Sequence, residues 1–79
     1  MNTIIVKAEW FEEDGVWIAQ SDDVPGLAGQ SESLEKLRPK VIAMISDLIE
    51  LNHMQIQLSE IPVLFVAQVM ERMKVPAAA

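Results

Sequence analysis

Two groups of carboxylates are the residues of this chain best suited to chemistry. Asp22 and Asp23 stand side by side after an apolar stretch, and Glu12, Glu13 and Asp14 fall together just before it. Adjacent aspartates can hold a divalent cation or take a proton from water, provided further ligands arrive at a useful spacing. No third ligand stands at such a spacing here. A solvated turn, with one Asp oxygen accepting from a nearby backbone amide, is the better reading of the pair. Glu12, Glu13 and Asp14 could grip a cation or a basic partner, but a plain polar hairpin tip is the better reading of them from the residues alone. His53, the sole histidine, could act as a general base. The pattern sets no Ser, Cys or Asp beside it, and its place after a helical run suits a helix end. The chain has no cysteine, which excludes thiol chemistry and disulfides. It carries no Gly-rich phosphate loop, nucleophile elbow or metal-spaced Cys/His set. The expectation is therefore a chain that is not an enzyme, with no catalytic, metal or cofactor-binding residues.

The elements that position these acids follow from periodicity. Thr3 to Trp10 alternates, with Ile4, Val6, Ala8 and Trp10 on one face and Thr3, Ile5, Lys7 and Glu9 on the other. Asp14-Gly15 supplies a hairpin turn, and Val16 to Ser21 is a second strand, apolar on both faces. Pro25 presets φ and Gly26 can take positive φ, so Val24–Leu27 suits a type II turn. Leu27 to Ser31 is a short third strand whose Ala28 and Gly29 let a neighbour approach closely. Ser33 then caps a helix running to about Asn52, its apolar stripe formed by Leu34, Leu37, Val41, Met44, Ile45 and Leu48, with Ile42 and Ile49 beside it. Pro39 conflicts with that helix and predicts a kinked or 3₁₀ first turn, or a start nearer Arg38. An irregular connection through His53 to Pro62 tucks in Ile56 and Leu58. Val63 to Met70 is the last strand, its apolar run suggesting burial on both faces. The Trp pair, Trp10 and Trp17, is expected to pack as aromatics in a thin core.

These readings predict an α+β fold, β-β-β-α-β, with an antiparallel sheet and one helix packed on one face. Residues 1–72 form a single domain and 73–79 a frayed tail. At 79 residues and 51% hydrophobic, the chain carries more apolar surface than one helix can cover. Ile5, Leu64 and Val66 lie on the uncovered face and are the expected oligomer face, with a homodimer the simplest assembly. Up to Glu35 there are eight acids and one base, and from Lys36 onward four acids and five bases. That balance argues against direct nucleic-acid binding and suits a basic protein partner. No apolar run spans a bilayer and no signal peptide is read at the amino terminus, so a cytoplasmic chain is expected.

The layout resembles the HicB antitoxin family. The resemblance rests on the Trp17-Ile18-Ala19 strand, then Ser21-Asp22-Asp23-Val24-Pro25-Gly26-Leu27, then Ser33-Leu34-Glu35-Lys36-Leu37 opening the helix. It spans Ile4 to Asn52 and is greatest with the short, single-domain HicB-like proteins of bacteria. The resemblance implies a degenerate ribonuclease-H-like half fold that covers the catalytic surface of a HicA toxin, a small basic RNA-cleaving protein. On it, Glu12, Glu13, Asp14, Asp22 and Asp23 are the candidate partner-binding residues, and Pro25 and Gly26 the structural turn. Full-length HicB proteins also carry a carboxy-terminal DNA-binding segment. The few residues after the last strand are too short for one, so operator binding is not expected. The competing expectation is a free-standing homo-oligomer with a regulatory or scaffolding task and no toxin.

Overall fold

The structure, a computed structural model, describes residues 3–56 and 59–77. Its elements are β1 (Ile4–Phe11), β2 (Val16–Gln20), β3 (Ala28–Ser31), α1 (Leu34–Leu51) and β4 (Val63–Gln68). They form a four-stranded sheet in the order β3-β2-β1-β4, with α1 on one face. The β-β-β-α-β order is the expected one, but the sheet is mixed. β2 pairs antiparallel with β1 and β3, whereas β4 lies parallel to β1, with Ile4 opposite Val63 and Glu9 opposite Gln68. Chain reversals dictate this. Two reversals make β3 run the same way as β1; the turn into α1 is a third and the connection from α1 to β4 a fourth. A strand laid beside β1 after that helix must run parallel to it.

The alternation in β1 sends Ile4, Val6 and Ala8 into the core, where they meet Ala19, Val24, Leu27 and the helix residues Leu37, Val41 and Ile45. Burying a side chain of this kind contributes about 1.5–3 kcal/mol. Leu34, Met44, Leu48 and Ile49 pack at the margin of that core, while Ile42 stays exposed. The helix lies nearest β3 because Gly29 has no side chain; a Cβ there would sit 3.4 Å from both Met44 Sδ and Val41 Cγ2.

Local signals close each junction. The Leu27 amide donates to the Val24 carbonyl at 3.2 Å and Gly26 has φ +87°, the type II turn expected around Pro25. Gly15 has φ +62° and donates to the Glu12 carbonyl at 3.3 Å, closing the hairpin. Ser33 Oγ accepts the Lys36 amide at 3.2 Å as the helix N-cap. The helix begins at Leu34, and the Leu37 amide already reaches the Ser33 carbonyl at 3.0 Å. The 3₁₀ start or later start expected from Pro39 is therefore absent: the proline sits exposed within the α-helix, at the open groove between α1 and β4. Asn52 Nδ2 donates to the Pro25 carbonyl at 2.9 Å and ties the helix end to the β2–β3 turn.

β4 also departs from expectation. It ends at Gln68, is an edge strand, and leaves Leu64 52% exposed, so its outer face is open in the single chain. Residues 69–77 have no regular structure. Ile56 is half-buried as expected, and Leu58 lies outside the described residues. No described helix is long and apolar enough to cross a membrane.

Candidate docking site

The five candidate partner-binding acids fall in two places, at opposite ends of β2. Glu12, Glu13 and Asp14 form the tip of the β1–β2 hairpin and are all exposed. Beside the tip, Trp10 and Trp17 face each other across the two strands with ring centroids 5.5 Å apart and planes tilted by 56°. They pack as the expected aromatic pair, yet both remain only partly buried. Together with Leu34 they border an open recess of about 1000 Å³, with Glu12, Glu32 and Glu35 on its rim and Val69 to Arg72 along one side. Aromatic faces with carboxylates on the rim attract a guanidinium or ammonium group both by Coulomb attraction and through the ring quadrupole, and Arg72 already lies at this recess.

Asp22 and Asp23 lie past the other end of β2 and do different work. Asp23 Oδ2 accepts the Ile5 amide at 2.8 Å, and Ser21 Oγ donates to the Ile5 carbonyl at 2.6 Å. The Asp23 amide in turn donates to Ser21 Oγ at 3.1 Å. Side chains thus serve the backbone groups of β1 where β2 has already left the sheet. Asp22 is exposed and borders a shallow recess of about 340 Å³ on the helix-free face of the sheet, with Ile5, Lys7 and Ile18. Among the described residues, no three His, Cys, Asp or Glu side chains come close enough to hold a metal ion.

His53 ends the helix through its backbone. It has φ +51°, its amide donates to the Glu50 carbonyl at 3.2 Å, and the Met54 amide reaches the Ile49 carbonyl at 3.0 Å. This is a Schellman closure with His where Gly is usual. Of the basic cluster, Lys40 Nζ donates to the Gln30 carbonyl at 2.8 Å, while Lys36 and Arg38 stand exposed.

The expected oligomer residues do come together. Ile5 lies directly opposite Leu64, and Val66 opposite Lys7, all on the sheet face away from α1. Sequence reasoning missed two other surfaces. One is a groove of about 600 Å³ between α1 and β4, lined by Pro39, Ile42, Ile61, Val63 and Phe65. The other is the segment after Gln68, whose Val69, Met70, Met73 and Val75 are exposed. The signal was available: Val69, Met73 and Val75 continue the odd-numbered face of Val63, Phe65 and Ala67.

Residues 3–77 match the family described as "Domain of unknown function (DUF1902)". The chain belongs to the DUF1902 family. The DUF1902 match takes in every strand, the helix and the segment after β4. The chain is also similar to the crystal structure of the hypothetical protein TTHA1013 from the extremely thermophilic bacterium Thermus thermophilus. The two are 38% identical, with 94% of this chain and 100% of that chain covered, at a TM-score of 0.72. None of the curated proteins matches the chain. The match to the DUF1902 family comes without one to a HicB family.

Proposed function

We propose that this DUF1902 protein is a non-enzymatic protein-binding module of the HicB antitoxin type, which masks a small, basic, HicA-like RNA-cleaving protein in the cytoplasm. One observation carries the reading: the exposed carboxylates of Glu12, Glu13 and Asp14 stand beside a recess bordered by Trp10 and Trp17 and rimmed by Glu32 and Glu35. A basic surface meets charge at the hairpin tip and aromatic faces behind it. The engagement of Asp23 with Ile5 supports a structural role for that carboxylate, and Asp22 remains as a secondary contact. The motif from Trp17 to Leu37 supports the choice of partner class.

Co-expression with a HicA-like protein encoded beside this chain tests the reading. The expected result is a stable complex and loss of RNA cleavage, both weakened at low salt when Glu12, Glu13 and Asp14 are replaced by Lys. A folded chain that neither binds nor neutralises such a protein overturns it.

A second reading, a free-standing homo-oligomer with a regulatory or scaffolding task, is favoured by the open apolar face of Ile5, Leu64 and Val66. It predicts an assembly that charge reversal at the hairpin leaves intact and that recruits no toxin.

A further inference from the structure

Three features on one side of this molecule lack a counterpart within the described chain. β4 pairs with β1 alone, so its other edge presents a row of unpaired backbone N–H and C=O groups. No proline, lysine or other charge lies within Val63–Gln68 to blunt that edge. The groove between β4 and α1 is open, because the helix packs chiefly over β3 and β2, and its apolar residues Pro39, Ile42, Ile61, Val63 and Phe65 are joined by Glu35 and Arg38. Residues 69–77 continue from β4 as an arm, with Met70, Met73 and Val75 80–86% exposed. The arm makes the chain long: its radius of gyration is 16.2 Å and its greatest extent 62 Å, where a compact chain of this length would have a radius of about 12 Å.

We propose that two copies of this chain join β4 to β4 antiparallel, and that the arm of each lies along the α1–β4 groove of the other. Symmetry makes the two halves of this statement one. An antiparallel pair of identical strands is related by a two-fold axis perpendicular to the sheet, and residues directly opposite each other share a face. Odd-numbered residues then oppose odd-numbered ones. Val63, Phe65 and Ala67 face the helix side, so Val69, Met73 and Val75 of an extended arm arrive on that same side, where the groove is open. Leu64 and Val66 meet their counterparts on the opposite face, which extends the apolar strip begun by Ile5. The joined sheet has eight strands, and neither copy keeps an open β4 edge.

Charge agrees with this placement. Arg72 and Lys74 against Glu71 give the arm one net positive charge, while the rest of the chain carries seven net negative ones. An arm that crosses to a second copy leaves a basic segment on an acidic body. Glu71 shares the odd-numbered side of the arm, and the groove carries both Glu35 and Arg38, so the attraction is that of the arm for the acidic body as a whole. Area agrees as well. Ile42, Leu64, Val69, Met70, Met73 and Val75 are exposed in the single chain. At about 60–120 Å² each, burying them in both copies hides roughly 700–1,400 Å² before the arm backbones are counted, the upper end of which reaches the standard range for a stable interface. The family match runs to residue 77 and so includes the arm.

This inference does not rest on the toxin-masking reading, although Val69 to Arg72 of the arm also border the Trp10–Trp17 recess; self-association is therefore read on the purified chain with no partner present. Light scattering and sedimentation equilibrium on the purified chain test it. The expected mass is twice 8.8 kDa. Met73→Asp with Val75→Asp in the full chain should weaken the dimer at least about 100-fold, and removal of residues 69–79 should do the same. The double variant keeps the test valid if the shortened chain fails to fold. The absence of natural cysteine permits a second test. In Val66→Cys, Ala67→Cys and Gln68→Cys, made singly, the residue nearest the two-fold axis should link two copies on oxidation, and Ile18→Cys should not. A chain that stays monomeric at millimolar concentration overturns the proposal. So does a dimer indifferent to the arm substitutions and linked through Ile18→Cys, which would mark pairing by the open sheet face.

Discussion

The carboxylate of Asp23 accepts the backbone amide of Ile5 at 2.8 Å, eighteen residues away in sequence and just past the last residue of β2. With Ser21, it completes the hydrogen bonding of β1 where the neighbouring strand turns off toward Pro25. A bond to a charged acceptor is worth more than a neutral one, although solvent reaches this site. Asp23→Ala should therefore cost about 1–2 kcal/mol, or about 4–16 °C in Tm for a domain of this size. Asp22→Ala should stay within about 0.5 kcal/mol. Chemical denaturation of the two variants checks the asymmetry. Equal losses, or a Tm raised by a divalent cation, would return the pair to a shared metal-binding role.

The helix end invites a stabilising change. His53 occupies left-handed backbone space, at φ +51°, where a Cβ costs roughly 1–2 kcal/mol and glycine has no such penalty. Part of that gain is lost to the greater freedom of glycine in the unfolded chain. His53→Gly should raise stability by about 0.5–1 kcal/mol, read as a higher denaturation midpoint at unchanged slope. A loss of stability would mean that the imidazole makes a contact worth more than the backbone relief.

Gly29 sets how closely α1 lies on the sheet. An added methyl would sit 3.4 Å from Met44 Sδ, which can swing aside, and 3.4 Å from Val41 Cγ2, which is held stiffly. Gly29→Ala should change stability by less than about 1 kcal/mol, whereas Gly29→Leu should cost about 1–3 kcal/mol as the helix is pushed outward. Thermal melts of the pair check this. Equal effects would show that the helix tolerates displacement.

Much of this architecture was legible in the residues. Alternation in β1, the Pro25-Gly26 turn, the Ser33 cap and the stripe from Leu37 to Ile45 each act locally, and each formed as its chemistry required. What escaped was set by relations between distant elements. The parallel pairing of β4 depends on counting chain reversals, not on any feature of Val63–Gln68. The separation of Asp22 and Asp23 from the hairpin acids depends on β2 lying between them. Composition groups all five as one acidic front, and only the strand direction divides them. Pro39 misled for a different reason. Its propensity cost is real, but packing of Leu37 and Val41 on either side holds the helix through it.

Pro39 is accordingly a place where the chain has stability in reserve. It removes the amide that would bond the Glu35 carbonyl, inside a helix and on an exposed position. Pro39→Ala restores that bond, and a more flexible unfolded chain takes back a fraction of the gain. The net effect should be about 1–2 kcal/mol of added stability, raising Tm by about 4–16 °C. Calorimetry would detect it. No gain would show that the proline ring, which lines the α1–β4 groove, contributes packing there that matches the lost hydrogen bond.

The hairpin acids make a kinetic prediction that separates steering from packing. Glu12, Glu13 and Asp14 are exposed and lie outside the buried core, so replacing all three with Lys should leave stability within about 1 kcal/mol. Exposed rim charges act mainly on encounter, and their reach shrinks from about 10 Å at 0.1 M salt to about 3 Å at 1 M. For a basic partner, the triple variant should associate at least about tenfold more slowly than the native chain at low salt, with the gap closing as salt rises. Trp17→Ala should act differently, speeding dissociation at every salt concentration because it removes contact area in the recess. Stopped-flow or surface-based kinetics across a salt series distinguishes the two. A triple variant that binds at the native rate in low salt would move the contact away from the hairpin, toward the open sheet face of Ile5 and Leu64.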